Sequence, residues 1–180
     1  MKALLDACVL YPTVLREILT GVARAGLYTP LWSDRILEEW ARAVVKLGPG
    51  AEIVARGEIA ALRAAFPAAA VPQREGLAAR LWLPDPADVH VLAAAIAGGA
   101  DVIVTFNAQD FPRHNLAEEG LRRMDPDEFL RALQAKDPDP VERVVEEVRA
   151  RAELLSGEAQ PLRPFLKRAR LPRLGKLLST

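Results

Sequence analysis

Short apolar runs alternate along this chain with longer stretches whose apolar residues recur every three or four positions. Ala3-Leu4-Leu5, closed by Asp6, reads as a buried strand. Asp101-Val102-Ile103-Val104-Thr105, rich in β-branched residues, reads as another. Leu27-Tyr28-Thr29-Pro30 and Ala69-Ala70-Val71 are further strand candidates. Residues 12–24 carry Val14, Ile18 and Val22 on one helical face. Ser33 is placed to cap a helix over 34–47, with Ile36, Trp40, Val44 and Leu47 as its apolar face and Gly48-Pro49-Gly50 as its stop. The helical period also runs through 51–65, through 86–97 before Gly98-Gly99, from Pro126 onward, and from Pro140 to about Leu155. A short helix is expected around 76–82. Strands alternating with helices predict an α/β fold with helices flanking a central parallel sheet.

At 180 residues the chain suits one compact domain with a short appendage. With 51% hydrophobic and 27% charged residues, disordered and fibrous classes are excluded. The single cysteine, Cys8, excludes an intrachain disulfide and a cysteine zinc site, and two histidines are too few for a histidine cluster. No apolar run is long enough to span a membrane, and Asp6 comes too early for a signal peptide. A soluble cytoplasmic protein is therefore expected. The net charge of zero hides an asymmetry: residues 1–158 hold all 24 acids and only 18 of the 24 basic residues, a balance of −6. The last 22 residues carry Arg163, Lys167, Arg168, Arg170, Arg173 and Lys176 and no acid.

Candidate chemistry lies in acids at element ends. Asp6 closes the first strand, and ligands of open parallel sheets gather at carboxyl ends of strands. On the 34–47 helix, at about 100° per residue, Glu39 falls at the edge of the apolar face while Glu38 points to water. Asp85-Pro86-Ala87-Asp88 has the form of a helix start, as do Asp125-Pro126-Asp127-Glu128 and Asp139-Pro140-Val141-Glu142. The first differs in its continuation, a wholly apolar helix followed directly by a strand. Thr105-Phe106-Asn107-Ala108-Gln109-Asp110-Phe111 places Asn107 and Asp110 at another strand end. Clustered carboxylates repel unless a cation lies between them. Oxygen ligands without cysteine or histidine suit Mg²⁺ or Mn²⁺.

In this order and spacing, Leu5-Asp6, Ser33 through Glu39, Asp88-Val89-His90-Val91-Leu92-Ala93 and the 105–111 block resemble the motifs of PIN-domain ribonucleases. The resemblance covers roughly residues 2–133. The closer match is to the VapC-like toxins of bacterial type II toxin–antitoxin pairs, and Leu83 through Ala95 and Pro126-Asp127-Glu128-Phe129-Leu130 are similar to one subgroup of them, which often has a helical C-terminal extension. The resemblance implies a PIN-like three-layer sandwich over 1–133, with a helical, basic C-terminal extension over 134–180. It implies a Mg²⁺- or Mn²⁺-dependent endoribonuclease using metal-activated water, with RNA as substrate and a cognate antitoxin as partner. By position, Asp6, Glu39 and Asp88 match the family's three principal metal-binding acids. Asn107 stands at the fourth, usually Asp, and Asp110 is the candidate for the missing carboxylate, so the number of metals is left open. Asp85 either supports the site or is only a cap. Cys8 is read as a small buried hydrophobe and His90 as structural. Family members commonly dimerise, which the sequence leaves open. The basic tail is read as docking RNA or a partner. A haloacid-dehalogenase-type phosphatase would need a second Asp where Cys8 stands. The remaining alternative is a degenerate PIN-fold module that binds RNA or protein without catalysis.

Overall fold

The structure, a computed structural model, describes residues 1–179. The strands are β1 (Lys2–Leu5), β2 (Thr29–Leu31), β3 (Val102–Val104) and β4 (Arg122–Met124). The helices in chain order are α1 (Ala7–Leu10), α2 (Thr13–Arg24), α3 (Asp34–Ala43), α4 (Ala51–Ala65), α5 (Val89–Gly98), α6 (Arg113–Glu118), α7 (Pro126–Gln134), α8 (Pro138–Ser156), α9 (Leu162–Arg168) and α10 (Pro172–Leu177). They form two compact units, one joining Met1–Tyr11 to Thr29–Met124, the other joining Pro12–Tyr28 to the chain from Asp125 on.

The first unit is an α/β domain: a four-stranded parallel sheet, ordered β2-β1-β3-β4, flanked by helices. Ala3, Leu4, Leu5 and Val102–Val104 are fully buried, as expected for central parallel strands covered on both faces. Leu5 lies opposite Val104, so the residues that follow, Asp6 and Thr105, emerge side by side. From β1 the chain goes on to β2 on one side, and from β3 to β4 on the other. The crevice between the carboxyl ends of β1 and β3 is therefore the topological switch point, where ligands of such sheets bind.

Several local readings shift. The helix expected over 34–47 ends at Ala43 and tightens into a 3₁₀ turn, Val44–Leu47. The change of period rotates Leu47 off the apolar face, leaving it 66% exposed. Ala69–Val71 contributes only an isolated bridge from Ala70 to Trp32, and 76–82 only a 3₁₀ turn at Ala78–Arg80. The helix expected from Pro140 begins two residues earlier, at Pro138. No apolar run marks β4 in the sequence, because Arg122-Arg123-Met124 is a polar edge strand.

In the second unit the apolar stripe of α8, Val141, Val144, Val145 and Val148, is buried, and so are Leu15, Ile18, Leu19 and Val22 of α2. The two helices approach closely at Gly21, where an added Cβ would lie 2.6 Å from Val144 Cγ1. Gly21→Ala is expected to destabilise the protein by about 1–3 kcal/mol through overpacking against a stiff β-branched side chain. Val144→Ala in the same chain should return most of that loss, as a urea-denaturation double-mutant cycle would show. Tyr28 packs edge-on to Phe129, ring centroids 4.9 Å apart, and its hydroxyl donates to the Leu19 carbonyl at 2.9 Å. The basic tail is built into this unit: Phe165, Leu166, Leu171 and Leu174 are buried while its cations lie outside that core.

Candidate metal centre

Asp6 sits at the switch point and is buried, 8% exposed. It is the N-cap of α1, accepting from Ala7 N–H at Oδ1, 2.7 Å. Its Oδ2 accepts from the Thr105 hydroxyl at 2.7 Å and from the Cys8 thiol at 3.2 Å. Thr105 also accepts from the Asn107 N–H at 2.9 Å, so one hydroxyl ties the ends of β1 and β3 to the loop that follows. Sequence reasoning passed over Thr105 as a strand residue; its signal was position, one register step from Asp6. Cys8 is half-buried and hydrogen-bonded, not a plain hydrophobe. Burial and the neighbouring Asp6 charge push its thiol up to about 12, so it carries no thiolate near neutral pH.

Ser33 caps α3 through the Ile36 N–H, as its sequence position predicts. The helix then separates its two glutamates. Glu38 pairs with Arg42 and Arg56, while Glu39 pairs with Arg35 at 3.3 Å and lies 2.8 Å from His90 Nε2. That last approach misses hydrogen-bond geometry, so both His90 nitrogens are buried without a hydrogen-bond partner. Burial raises the Glu39 pKa above the usual carboxylate value, with Asp6 adding to the shift against the opposing Arg35 charge.

Asp85 caps the 3₁₀ turn Pro86–Asp88 that leads into α5, accepting from Ala87 N–H at 2.8 Å. It does more than cap. Among the described residues, Asp85, Asp88 and Asp110 each offer a carboxylate oxygen, all within 4.8 Å of one another. Asn107 donates its side-chain amide to Asp88 Oδ2 at 2.9 Å, holding that carboxylate without adding charge. Asp88, partly desolvated and facing the charges of Asp6, Asp85, Asp110 and Glu39, is pushed up to about 6. The other four sequence-nominated residues thus all act on Asp88: Asn107 by its hydrogen bond, and Asp6, Asp110 and Glu39 by their charge. The tightest group, however, contains Asp85 and excludes Asp6 and Glu39. An all-oxygen donor set under mutual repulsion, with no thiolate or imidazole in it, fits a hard divalent cation.

Two neighbours titrate in opposite senses. Asp88 is raised from 3.8 to about 6, so between those values the folded chain holds a proton the unfolded chain has lost, and stability falls as pH rises. His90, desolvated and facing Arg35, is lowered from 6.5 to about 4, so over that range the unfolded chain holds the extra proton and stability rises with pH. The two slopes oppose each other. In metal-free melts, Asp88→Asn should make Tm climb more steeply between pH 4 and 6.5 than in the wild type, and His90→Gln should reverse that trend. Parallel curves for all three proteins would sink the assignment.

A parallel sheet with acids converging on its switch point defines an α/β domain with a candidate divalent-metal centre. The PIN domain family model matches residues 2–109, more than half of the chain, and the chain belongs to that family. PIN domains are generally metal-dependent nucleases. No curated protein and no solved structure matches the chain. Among the described residues no helix is long and apolar enough to cross a membrane.

Proposed function

We propose that the protein is a Mg²⁺- or Mn²⁺-dependent endoribonuclease, the toxin of a bacterial type II toxin–antitoxin pair, acting in the cytoplasm. The observation that carries the reading is the convergence of Asp85, Asp88 and Asp110 within 4.8 Å in a PIN domain, with Asp6 and Glu39 acting electrostatically on the same group. Asp6, Glu39, Asp88 and Asp110 would hold the metal, with Asp85 beside them and Asn107 orienting Asp88. When bound, the metal supplies an activated water at neutral pH and neutralises charge at the scissile phosphate. No covalent nucleophile from the chain is needed, and the Cys8 thiol beside Asp6 stays protonated. Residues 134–180, with their basic tail, would serve RNA or antitoxin binding from outside the catalytic domain.

Single-stranded RNA incubated with the protein should be cut in Mg²⁺ or Mn²⁺ and spared in excess EDTA. Expression alone should arrest bacterial growth, and co-expression of the protein encoded beside it should relieve that arrest. Cleavage that persists in EDTA would end the metal-dependent reading. Asn107 favours a second reading, a PIN module that binds RNA without cutting it, because the amide at this position brings no charge. Metal-insensitive RNA binding without cleavage would support that reading.

A further inference from the structure

We propose that the cavity beside the acid cluster holds the base of an unpaired RNA nucleotide, with guanine the best fit. The substrate class rests on the nuclease reading, but the pocket rests on its own geometry. A cavity of about 230 Å³ lies among the start of α3, the segment 71–78 and α5. It is smaller than the roughly 300–1,000 Å³ of sites for drug-sized ligands, leaving room for a single ring system. Part of its lining is apolar, Ala93 and Ala94 of α5 with Val71 and Pro72, suiting the faces of a base.

Two of the polar lining residues are uncommitted. Gln73 and Arg74 make no side-chain hydrogen bond or ion pair among the described residues. His90 also lines the cavity, but its Nε2 lies 2.8 Å from a Glu39 carboxylate oxygen and both ring nitrogens are buried, so Gln73 and Arg74 are the groups free to meet a ligand's hydrogen-bonding edge. RNA sequence is read by just such contacts to unstacked bases. Among the bases, guanine presents the O6 and N7 acceptors that an arginine fork matches and N–H donors that a carboxylate accepts. Arg74 offers an unpaired fork here, and Asp34, which already accepts from Arg63 at 2.8 Å, offers the carboxylate.

The cavity adjoins the acid cluster through Glu39, which Arg35 and His90 both approach. A nucleotide whose base sits in the cavity therefore presents its sugar–phosphate toward the carboxylates. That juxtaposition would fix which phosphodiester is cut.

The test is an NMR titration of the ¹⁵N-labelled protein in EDTA with 5′-GMP, AMP, CMP and UMP. Saturable shifts centred on Gln73, Arg74, His90 and Ala93, tightest for GMP, are the expected result. Arg74→Ala, an exposed change that should leave the fold intact, is expected to weaken GMP about tenfold. Ala93→Leu, which fills the cavity, should abolish the shifts. Silence to all four nucleotides, shifts centred elsewhere, tightest binding of a pyrimidine, or undiminished GMP binding in Arg74→Ala would each overturn the proposal. Because binding is read without metal or turnover, the two readings fail separately. A protein that binds GMP here but never cuts RNA loses only the nuclease reading. One that cuts RNA while this cavity ignores nucleotides loses only the pocket.

Discussion

Asp6→Asn is expected to yield a folded protein whose metal-dependent RNA cleavage is reduced by at least about 10²–10³-fold, the scale of losing one preorganised electrostatic group. Folding should survive because asparagine is as good an N-cap as aspartate, so the contact to Ala7 N–H is retained. What is lost is the charge, together with an acceptor shared by the Thr105 hydroxyl and the Cys8 thiol. Thr105→Val separates position from charge. It removes the donor that fixes Asp6 Oδ2 and leaves the carboxylate in place, so about a 10–100-fold loss in Mn²⁺ affinity is expected, with Thr105→Ser restoring it. Calorimetric Mn²⁺ titration and kcat/KM on one RNA measure both effects. Wild-type cleavage by Asp6→Asn would remove Asp6 from the centre, and unchanged Mn²⁺ affinity in Thr105→Val would make its hydroxyl merely structural.

The residues legible from sequence are those whose role follows from local periodicity. Glu39 could be told from Glu38 because the helical repeat assigns faces, and the structure gives the two glutamates different partners. Asp6 could be nominated because a short apolar run ended in an acid. Thr105 and Asp85 show where such reasoning stops. The hydroxyl matters only because β1 and β3 are in register, which no local pattern encodes. Asp85 matched a capping motif so well that capping sufficed as an explanation, yet its carboxylate also joins Asp88 and Asp110. The motif Asp125-Pro126-Asp127-Glu128 divides in the same way. Asp125 caps its own helix through the Glu128 N–H at 2.8 Å, the local role, whereas Asp127 serves a helix some 46 residues away.

Among single substitutions, the one that breaks that distant contact carries the largest expected loss of stability. Asp127 is 5% exposed, and its two oxygens accept from the N–H groups of Arg173 and Leu174, each at 2.8 Å. Those are first-turn donors of α10, whose own N-cap residue, Leu171, offers no side-chain acceptor. Asp127 thus caps α10 from outside it and places a negative charge at the positive end of its dipole. Asp127→Ala leaves both N–H groups unpaired, one of them buried, at about 1–3 kcal/mol for each buried loss. A total of about 1–4 kcal/mol is expected, against about 0.5–2 kcal/mol for Asp125→Ala at an exposed cap. For a domain with some 5–15 kcal/mol to lose, the larger figure threatens folding itself. Deletion of residues 159–180 should be worse still, because it strands the Asp127 carboxylate and uncovers the core that Phe165, Leu166, Leu171 and Leu174 help to fill. The function of the tail's charge is therefore better probed by Arg163→Gln and Lys167→Gln, at exposed positions, than by truncation. Urea melts rank the variants, and amide hydrogen exchange at Arg173 and Leu174 locates the damage. Unchanged protection of those two amides in Asp127→Ala would show that α10 does not depend on this cap.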